Sequence, residues 1–327
     1  MNKKVCVVGG GRWGKNHLKT LEKLGSLGGL VEQNLDAINH YKEQYPNIKF
    51  FTNLEEAIKC GFDGFVVATP VETHYALGKK IIESNHHVLI EKPITTNIKE
   101  AQDLNNLANK HNVNLMVGHL LLFHPAINKI KELINQNQIG DLQYIYSNRL
   151  NLGNIRTEEN VFWSFAPHDI SIIQYFTESF PNQIFSNGGA FIQKEIHDTT
   201  MTFLEYPNNI KCHIYVSWLH PFKEHRLVVI GSNGMLSYED SSNEKLIKFY
   251  NKRYFLDDFT PIKDDGEIEI IQYDRTAPLE LELQYFIDHL DGTDLEIANG
   301  QNALEVIQIL EAATNSLLNS TSIKQGI

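Results

Sequence analysis

Short apolar segments alternate with amphipathic segments through the first third of the chain. The strands that this pattern predicts are 4–8, 29–31, 65–68, 88–90 and 115–117. Between them, apolar residues recur at helical spacing, which predicts helices over 15–24, 36–45, 73–84 and 98–112. Strands that alternate with helices of this length are typical of βαβ units and a parallel sheet. The pattern therefore predicts an α/β domain that ends near Val117.

A different pattern begins after residue 141, where predicted strands follow one another directly. In 210–218 apolar and polar residues alternate strictly, which predicts a strand with one buried face. The further strands predicted here are 142–150, 184–191, 199–206, 227–230, 235–238 and 246–250, and the helices are 125–134, 278–290 and 302–318. Consecutive strands joined by turn residues favour a mostly antiparallel sheet. We therefore predict two domains, 1–117 and 118–327, with the helix at about 302–318 packing on the core.

Composition and charge narrow the possible functions. The 327 residues are 42% hydrophobic, contain no apolar run long enough to cross a bilayer and begin with no cleavable-looking leader. We therefore expect a cytoplasmic protein without a membrane partner. The formal net charge of −11 offers no basic surface to a nucleic acid. Three scattered cysteines are too few for a disulfide framework or a zinc site, and no metal is predicted.

A glycine-rich loop separates the first predicted strand from the first predicted helix. Gly9, Gly11 and Gly14 match the pattern G-x-G-x-x-G in the strand–loop–helix context that gives this motif its meaning. The first glycine allows a tight turn, the second lets a pyrophosphate approach the backbone, and the third lets helix and strand pack closely. We assign these glycines, with Arg12 and Trp13 between them, to a cofactor site. A glycine-rich turn without a ligand is the alternative.

The residue after the second strand predicts which dinucleotide binds. Glu32 lies about twenty residues beyond the glycines, where an acidic side chain hydrogen-bonds a ribose 2′-hydroxyl. Gln33 and Asn34 follow, with no arginine to receive a 2′-phosphate. The predicted cofactor is therefore NAD rather than NADP. The predicted fold class is α/β: a doubly wound Rossmann sheet, then an α+β domain with a large, mostly antiparallel sheet, to which the family resemblance described below adds an open face.

A charged pair stands where the strand 88–90 ends. Glu91 and Lys92 follow three apolar residues, and Pro93 stops the strand. In an open α/β sheet, ligands collect beyond the carboxyl ends of the strands, so a lysine there can be held close to a cofactor and a substrate. An exposed strand exit is the ordinary alternative.

Three segments of the first domain resemble signatures of the glucose–fructose oxidoreductase/inositol dehydrogenase (Gfo/Idh/MocA) family. They are 7–14, Ala-Thr-Pro at 68–70 with His74 four residues later, and the Glu-Lys-Pro motif within 88–93. The resemblance extends over the whole chain. It implies a second domain whose open sheet face builds homodimers or homotetramers.

The same resemblance implies roles for particular residues. Lys92 is expected to reach the reacting hydroxyl, the Lys92–Pro93 peptide bond can be cis, and the second domain is expected to carry a catalytic histidine. Four further residues of the resembling segments are assigned to the cofactor site: Thr69, Pro70, His74 and Glu91.

The histidine that fits this expectation is His168, in Ala-Pro-His-Asp-Ile at a predicted helix start. The chain has 14 histidines, and a single histidine is more often structural than catalytic. His168 is selected because the family places its histidine in such a segment, beside the substrate. Many relatives carry an aspartate four residues earlier, where this chain has Ser164. A carboxylate relay is therefore absent, and the proton taken from the reacting hydroxyl must leave by another route.

Three segments of the second domain, 149–153, 155–160 and 166–170, look most similar to nucleotide-sugar 3-dehydrogenases of the family. These enzymes oxidise the 3-hydroxyl of UDP-N-acetylglucosamine, or of its uronic-acid counterpart, ahead of a transaminase that installs an amino group. A diphosphate needs cations and polar groups. The candidates are Arg149, Asn151, Arg156, Lys223 and Arg226. No further basic residue is reserved for a sugar carboxylate, which favours the N-acetylglucosamine form.

The predicted function is therefore NAD-dependent oxidation of a UDP-sugar at its 3-hydroxyl, with Lys92 and His168 as catalytic residues. The sequence leaves open which of the two is the base, because a partly buried lysine and a histidine can both titrate near working pH. Recycling of NADH by a keto acid and the choice of dimer or tetramer also stay open. The alternatives are a free polyol or hexose dehydrogenase and a sensor that binds NAD and sugar without turnover.

Overall fold

The computed structural model describes residues 3–319, which form two compact units. The first takes in the chain as far as His124 together with Thr276–Ile307, and the second takes in Pro125–Arg275 and the chain from Gln308. The sequence pattern instead assigned everything after Val117 to the second domain. The difference arises because an amphipathic stripe predicts a helix but does not reveal which core that helix covers.

The first unit contains a six-stranded parallel sheet. Its strands are β1 Val5–Val8, β2 Leu27–Val31, β3 Lys49–Phe51, β4 Gly64–Val67, β5 His87–Glu91 and β6 Leu115–Gly118. Their order is β3-β2-β1-β4-β5-β6, so the order reverses between β1 and β4. In such sheets, the crevice outside the carboxyl ends at this reversal is where ligands bind. The edge strand β3 had escaped prediction because it is only three residues long and partly exposed.

Helices cover both faces of this sheet, and the central residues of its strands are accordingly buried and mostly apolar. The helices of the unit are α1 Gly14–Lys23, α2 Leu35–Gln44, α3 Leu54–Ile58, α4 His74–Glu83, α5 Ile98–His111 and α9 Pro278–Asp288. Side-chain oxygens of Asn34 and Asn97 accept backbone hydrogen bonds at the starts of α2 and α5. The predicted doubly wound sheet is confirmed.

The second unit contains an eight-stranded sheet. Its strands are β7 Leu142–Leu152, β8 Gln183–Gly189, β9 Thr199–Glu205, β10 Lys211–Ser217, β11 Leu219–Gly231, β12 Met235–Glu239, β13 Ile247–Asp257 and β14 Thr260–Ile271. The order is β14-β13-β12-β11-β7-β10-β9-β8, with β7 and β10 parallel and the other neighbours antiparallel. Strand β14 was not predicted, and its side chains are mostly exposed on both faces.

One face of this sheet is buried and the other is open. Cys212, Ile214 and Val216 of β10 are almost fully buried, as the alternation in 210–218 predicted. On the opposite face, Met201 and Phe203 remain substantially exposed. The remaining helices are α6 Pro125–Asn135, α7 Val161–Phe165, α8 Pro167–Thr177 and α10 Gly300–Asn319. The predicted mostly antiparallel, open-faced sheet is confirmed, and no helix within residues 3–319 is long and apolar enough to span a bilayer.

Candidate functional site

The glycine loop after β1 is shaped for close backbone contacts. Gly9 has φ +96°, and a side chain there would put Cβ 2.7 Å from Thr69 Cγ2. A Cβ on Gly14 would lie 1.9 Å from the carbonyl oxygen of Gly9, so only glycine lets α1 start this close to β1. Gly11, in contrast, has no atom within 4 Å of its Cβ position. The loop thus leaves open space at the glycine that we expect to face a pyrophosphate.

Glu32 lies beside this loop at the end of β2. Its Oε2 accepts a hydrogen bond from Gly10 N at 2.8 Å, and its Oε1 accepts one from Asn34 N at 3.0 Å. Tyr41 donates its hydroxyl hydrogen to the Gly10 carbonyl at 2.6 Å. These contacts fix the carboxylate and still leave acceptor capacity for a ribose hydroxyl, because a carboxylate has about four lone-pair sites.

A cavity of about 630 Å³ opens along this edge of the sheet. Gly9, Gly11 and Glu32 line it, with Thr69 and Pro70 from the loop after β4 on another side. The cavity therefore combines open backbone at the glycine loop with a fixed carboxylate. This combination fits the pyrophosphate and ribose of a dinucleotide.

His74 ties the loop after β4 to the loop after β5. Its side chain is buried, with Nε2 2.8 Å from Thr69 O and Nδ1 3.0 Å from Pro93 O. The histidine supports two strand ends, and its predicted contact with the cofactor stays a prediction. Arg12 and Trp13 of the glycine loop are exposed at the same edge.

Lys92 stands at the carboxyl end of β5, half-buried, and its peptide bond to Pro93 is cis. Because the strands are parallel, the ends of β1, β4, β5 and β6 share one edge of the sheet. Lys92 therefore lies on the same edge as the glycine loop and Glu32. The roles of these residues were inferred from motifs, and the structure places them together in the first unit.

Two histidines at this edge were overlooked in the sequence. His17 on α1 is fully buried, and its Nε2 lies 2.7 Å from Glu91 Oε1. His119 directly follows β6 and is almost fully buried. Burial, followed by the positive charge of Lys92, lowers the pKa of His119 to about 4. Sequence features could have identified both histidines. His17 adjoins the apolar residue Leu18 on the buried face of a helix, and His119 follows a strand end, as Lys92 does.

His168 is the second residue of α8 in the second unit, and its side chain is half-buried. The next residue, Asp169, is buried and forms a two-pronged ion pair with Arg149 of β7. Arg149 Nε lies 2.8 Å from Asp169 Oδ2, and Nη2 lies 3.0 Å from Oδ1. Ser147 donates a third hydrogen bond to Asp169 Oδ1 at 2.6 Å. The start of α8, and with it the backbone of His168, is thereby anchored to the sheet.

The predicted diphosphate ligands are distributed over both faces of this sheet. In the register of β7 and β11, Arg149 lies opposite His225, whereas Arg226 lies opposite Asn148. Because side chains alternate along a strand, Arg149 and Arg226 point to opposite faces. Arg226 is held by Glu239, with Nη2 2.9 Å from its Oε2. At most one of these two arginines can face a ligand bound on a given side.

The other polar candidates are less constrained. Asn151 is half-buried near the end of β7, and Arg156 and Lys223 are exposed. Arg149 Nη1 lies 3.5 Å from His225 Nδ1. Burial, followed by the charges of Arg149 and Lys223, lowers the pKa of His225 to about 4, so this imidazole is neutral at neutral pH. The assignment of all these residues to a substrate stays a prediction.

Comparison with known proteins identifies the family. Residues 3–119 match the model of an oxidoreductase family with an NAD-binding Rossmann fold. Residues 127–237 match the C-terminal domain of the same family. Together with the fold and the glycine loop, these matches define the chain as an NAD-binding oxidoreductase. It belongs to the Gfo/Idh/MocA family, which confirms the resemblance inferred from the motifs and the predicted cofactor.

Several characterised relatives have low sequence identity to this chain. UDP-N-acetylglucosamine 3-dehydrogenase of Acidithiobacillus ferrooxidans is 25% identical over 187 residues, covering 57% of this chain and 58% of that protein. Myo-inositol 2-dehydrogenase of Thermotoga maritima is 22% identical, covering 98% of each chain. The solved structure of the Acidithiobacillus ferrooxidans enzyme superposes with a TM-score of 0.85 at 18% identity, covering 97% of this chain and 98% of that one. The superposition shows a shared fold.

The position of Glu32 predicts how its substitution changes the affinity for NAD. We expect Glu32→Gln to weaken NAD binding about tenfold, because a ribose hydroxyl loses a charged acceptor, a loss of about 1.4 kcal/mol. The measurement is an NAD titration followed by protein fluorescence, with melting temperature as a check on folding. Glu83→Gln, which alters an exposed glutamate of α4, serves as the matched control. Equal NAD affinity in the Glu32 and Glu83 variants would contradict the ribose assignment.

Proposed function

We propose that this protein is an NAD-dependent dehydrogenase that oxidises the 3-hydroxyl of UDP-N-acetylglucosamine to the 3-keto sugar. The observation that carries the proposal is the placement of the glycine loop, Glu32 and Lys92 on one edge of the parallel sheet. An alcohol oxidation requires a bound hydride acceptor and a group that takes the hydroxyl proton. The cofactor cavity and the half-buried Lys92 at the same edge of the sheet would supply these two functions. The name of the Acidithiobacillus ferrooxidans relative supports this choice of sugar and position.

The chain's own groups would perform the proton chemistry. When bound, NAD supplies the acceptor for the hydride that leaves the carbon. Lys92 or His168 would take the proton of the hydroxyl, and we assign this step first to Lys92, since it lies on the cofactor edge. The fixed carboxylate of Glu32 and the open backbone at Gly11 would orient the cofactor, so positioning contributes to the rate.

The proposal extends to partners of the protein. The open face of the eight-stranded sheet exposes Phe185, Met201 and Phe203, and we assign this face to a homodimer or homotetramer contact. A 3-keto sugar is the type of product that a transaminase converts into an amine, so a transaminase is the expected functional neighbour. We assign the protein to the cytoplasm.

A second candidate substrate is a free polyol. The relative named myo-inositol 2-dehydrogenase aligns with 98% of this chain, which is a longer match than that of the UDP-sugar enzyme. A polyol lacks the diphosphate that the cationic candidates of the second unit would bind. A binding measurement therefore distinguishes the two candidate substrates before any turnover is measured.

The test is the appearance of NADH absorbance when the purified protein is mixed with NAD and one sugar. We expect signal with UDP-N-acetylglucosamine and none with its uronic-acid form, and a parallel reaction with 2-oxoglutarate reveals recycling of NADH. Thermal protection by each compound is measured alongside, because a ligand that binds the folded state raises the melting temperature. If only myo-inositol is turned over and raises the melting temperature, a free polyol replaces UDP-N-acetylglucosamine as the proposed substrate. NAD binding without turnover of any sugar would favour a sensor.

A further inference from the structure

A partly buried carboxylate contacts the backbone of Lys92, and a buried histidine contacts that carboxylate. Glu91 ends β5, and its side chain is only 13% exposed. Its Oε1 lies 2.7 Å from His17 Nε2, and its Oε2 accepts a hydrogen bond from the Lys92 backbone N at 3.2 Å. An ionised carboxylate can only accept hydrogen bonds, so Nε2 of His17 is the donor. His17 therefore fixes the orientation of the carboxylate next to Lys92.

The neighbouring strand leaves room for this carboxylate. Gly118 pairs with Glu91 in the β5–β6 register. A Cβ on Gly118 would lie 2.9 Å from Glu91 Oε2, closer than real Cβ atoms approach other atoms. A glycine at this point of β6 is what allows Glu91 to turn inward rather than toward solvent.

A second carboxyl group is buried on α9, which packs against α1 in the first unit. Glu282 is 1% exposed, and its Oε1 has no hydrogen-bond partner among the described residues. Burial, followed by the negative charge of Glu91, raises the pKa of Glu282 well above its ordinary value. A buried carboxyl without a cation is stable only in its neutral form, since an isolated buried anion is strongly disfavoured. Glu282 is therefore protonated when Glu91 is ionised.

We propose that His17, Glu91 and Glu282 act together as a positioning cluster for Lys92. The inference rests on the proposed role of Lys92 in catalysis. Four groups surround this point from the packed elements: His17 on α1, Glu91 on β5, His119 after β6 and Glu282 on α9. His119 is neutral at neutral pH, so it adds no charge at this point.

The cluster would set the pH at which Lys92 becomes an amine. A negative charge close to a lysine favours its ammonium form, whereas burial favours the neutral amine. By donating a hydrogen bond to Glu91, His17 favours the charged form of this carboxyl group. If His17 is removed, Glu91 loses this donor and its charged form is less favoured, so the negative charge beside Lys92 decreases.

Competitive acetylation of the full chain tests this coupling. The parent and its variants react with acetic anhydride at a series of pH values, and mass spectrometry of the Lys92 peptide gives the midpoint pH of labelling. We expect Glu91→Gln to lower this midpoint by about one pH unit or more, as the loss of a nearby opposite charge does. His17→Leu should shift it in the same direction, and His17→Gln, which keeps a donor, should restore it.

Glu280→Gln is the matched control, because Glu280 lies on α9 but pairs with the exposed Lys23. Its labelling midpoint should equal that of the parent. If Glu91→Gln and His17→Leu also keep the parent midpoint while retaining the parent circular dichroism, the cluster does not act on Lys92. If His17→Leu loses its fold, Glu91→Gln, which preserves the size of the side chain, decides the result.

Glu282 is tested through the pH dependence of unfolding. Its pKa is raised in the folded state, so above the unfolded value the folded chain holds one more proton than the unfolded chain. Stability then falls as pH rises, by a factor of about ten in the folding equilibrium constant per pH unit. We expect Glu282→Gln, which is neutral at every pH, to remove this slope between pH 5 and the raised pKa. An unchanged slope would show that Glu282 does not hold a proton.

Neither measurement needs a substrate. A chain that shows both effects but does not turn over UDP-N-acetylglucosamine would refute the proposed substrate and keep the cluster. A chain that turns over the sugar but shows neither effect would refute the cluster and keep the proposed function.

Discussion

We expect Lys92→Ala to abolish turnover and to leave NAD binding and the fold intact. In the proposed mechanism Lys92 takes the proton of the substrate hydroxyl, which alanine cannot do, and general-base catalysis contributes about 10²–10⁴-fold to a rate. We expect kcat to fall at least about 10³-fold, because the side chain would also position the hydroxyl. The glycine loop, Glu32 and the cavity do not include this side chain, so the dissociation constant of NAD should stay within about twofold of the parent value.

The measurement is the initial rate of NADH formation together with an NAD titration of the same preparation. Lys99→Ala serves as the matched control, because Lys99 is exposed at the start of α5. Lys92→Arg should be as inactive as the alanine variant, since a guanidinium does not lose its proton at working pH. Activity of the alanine variant within a few-fold of the parent would transfer the role of base to His168.

Asp169→Asn strongly destabilises the second unit. The substitution leaves Arg149 buried without its counter-ion, and it weakens the hydrogen bond from Ser147. Removing one partner of a buried ion pair costs about 3–5 kcal/mol. For a domain of this size the melting temperature should fall on the order of 10 °C.

Differential scanning calorimetry measures this loss, with a control at an exposed ion pair of the same sheet. Asp264→Asn breaks the pair of Arg253 and Asp264, whose Nε–Oδ2 distance is 3.2 Å. Exposed pairs contribute about 0–1 kcal/mol, so this variant should melt close to the parent. A loss below about 1 kcal/mol in Asp169→Asn would show that the buried pair does not anchor α8.

Local patterns predicted much of the fold correctly. The alternation of apolar and amphipathic segments gave the parallel sheet, because both faces of its strands are buried and its helices have one apolar stripe. Short or exposed strands were missed. β3 has three residues, too few for a period to be detected. β14 has no buried face, and its short alternation from Glu267 to Ile270 was not assigned to a strand.

The sequence by itself determined the residues that form the cofactor edge. Gly9, Gly11 and Gly14 follow a strand directly, and Lys92 follows another, so their placement depends on local chain direction alone. Because the strands are parallel, their carboxyl ends lie at one edge of the sheet, and no long-range contact is needed to predict this.

Only the tertiary structure decided which charges meet. His17 and Glu91 are 74 residues apart, and Glu282 reaches the first unit on a helix that the pattern placed in the second. The opposite directions of Arg149 and Arg226 follow from the register of β7 against β11, which connects distant segments. Periodicity assigns a residue to a face, but contacts between distant segments depend on how the elements pack, and packing is a property of the whole chain.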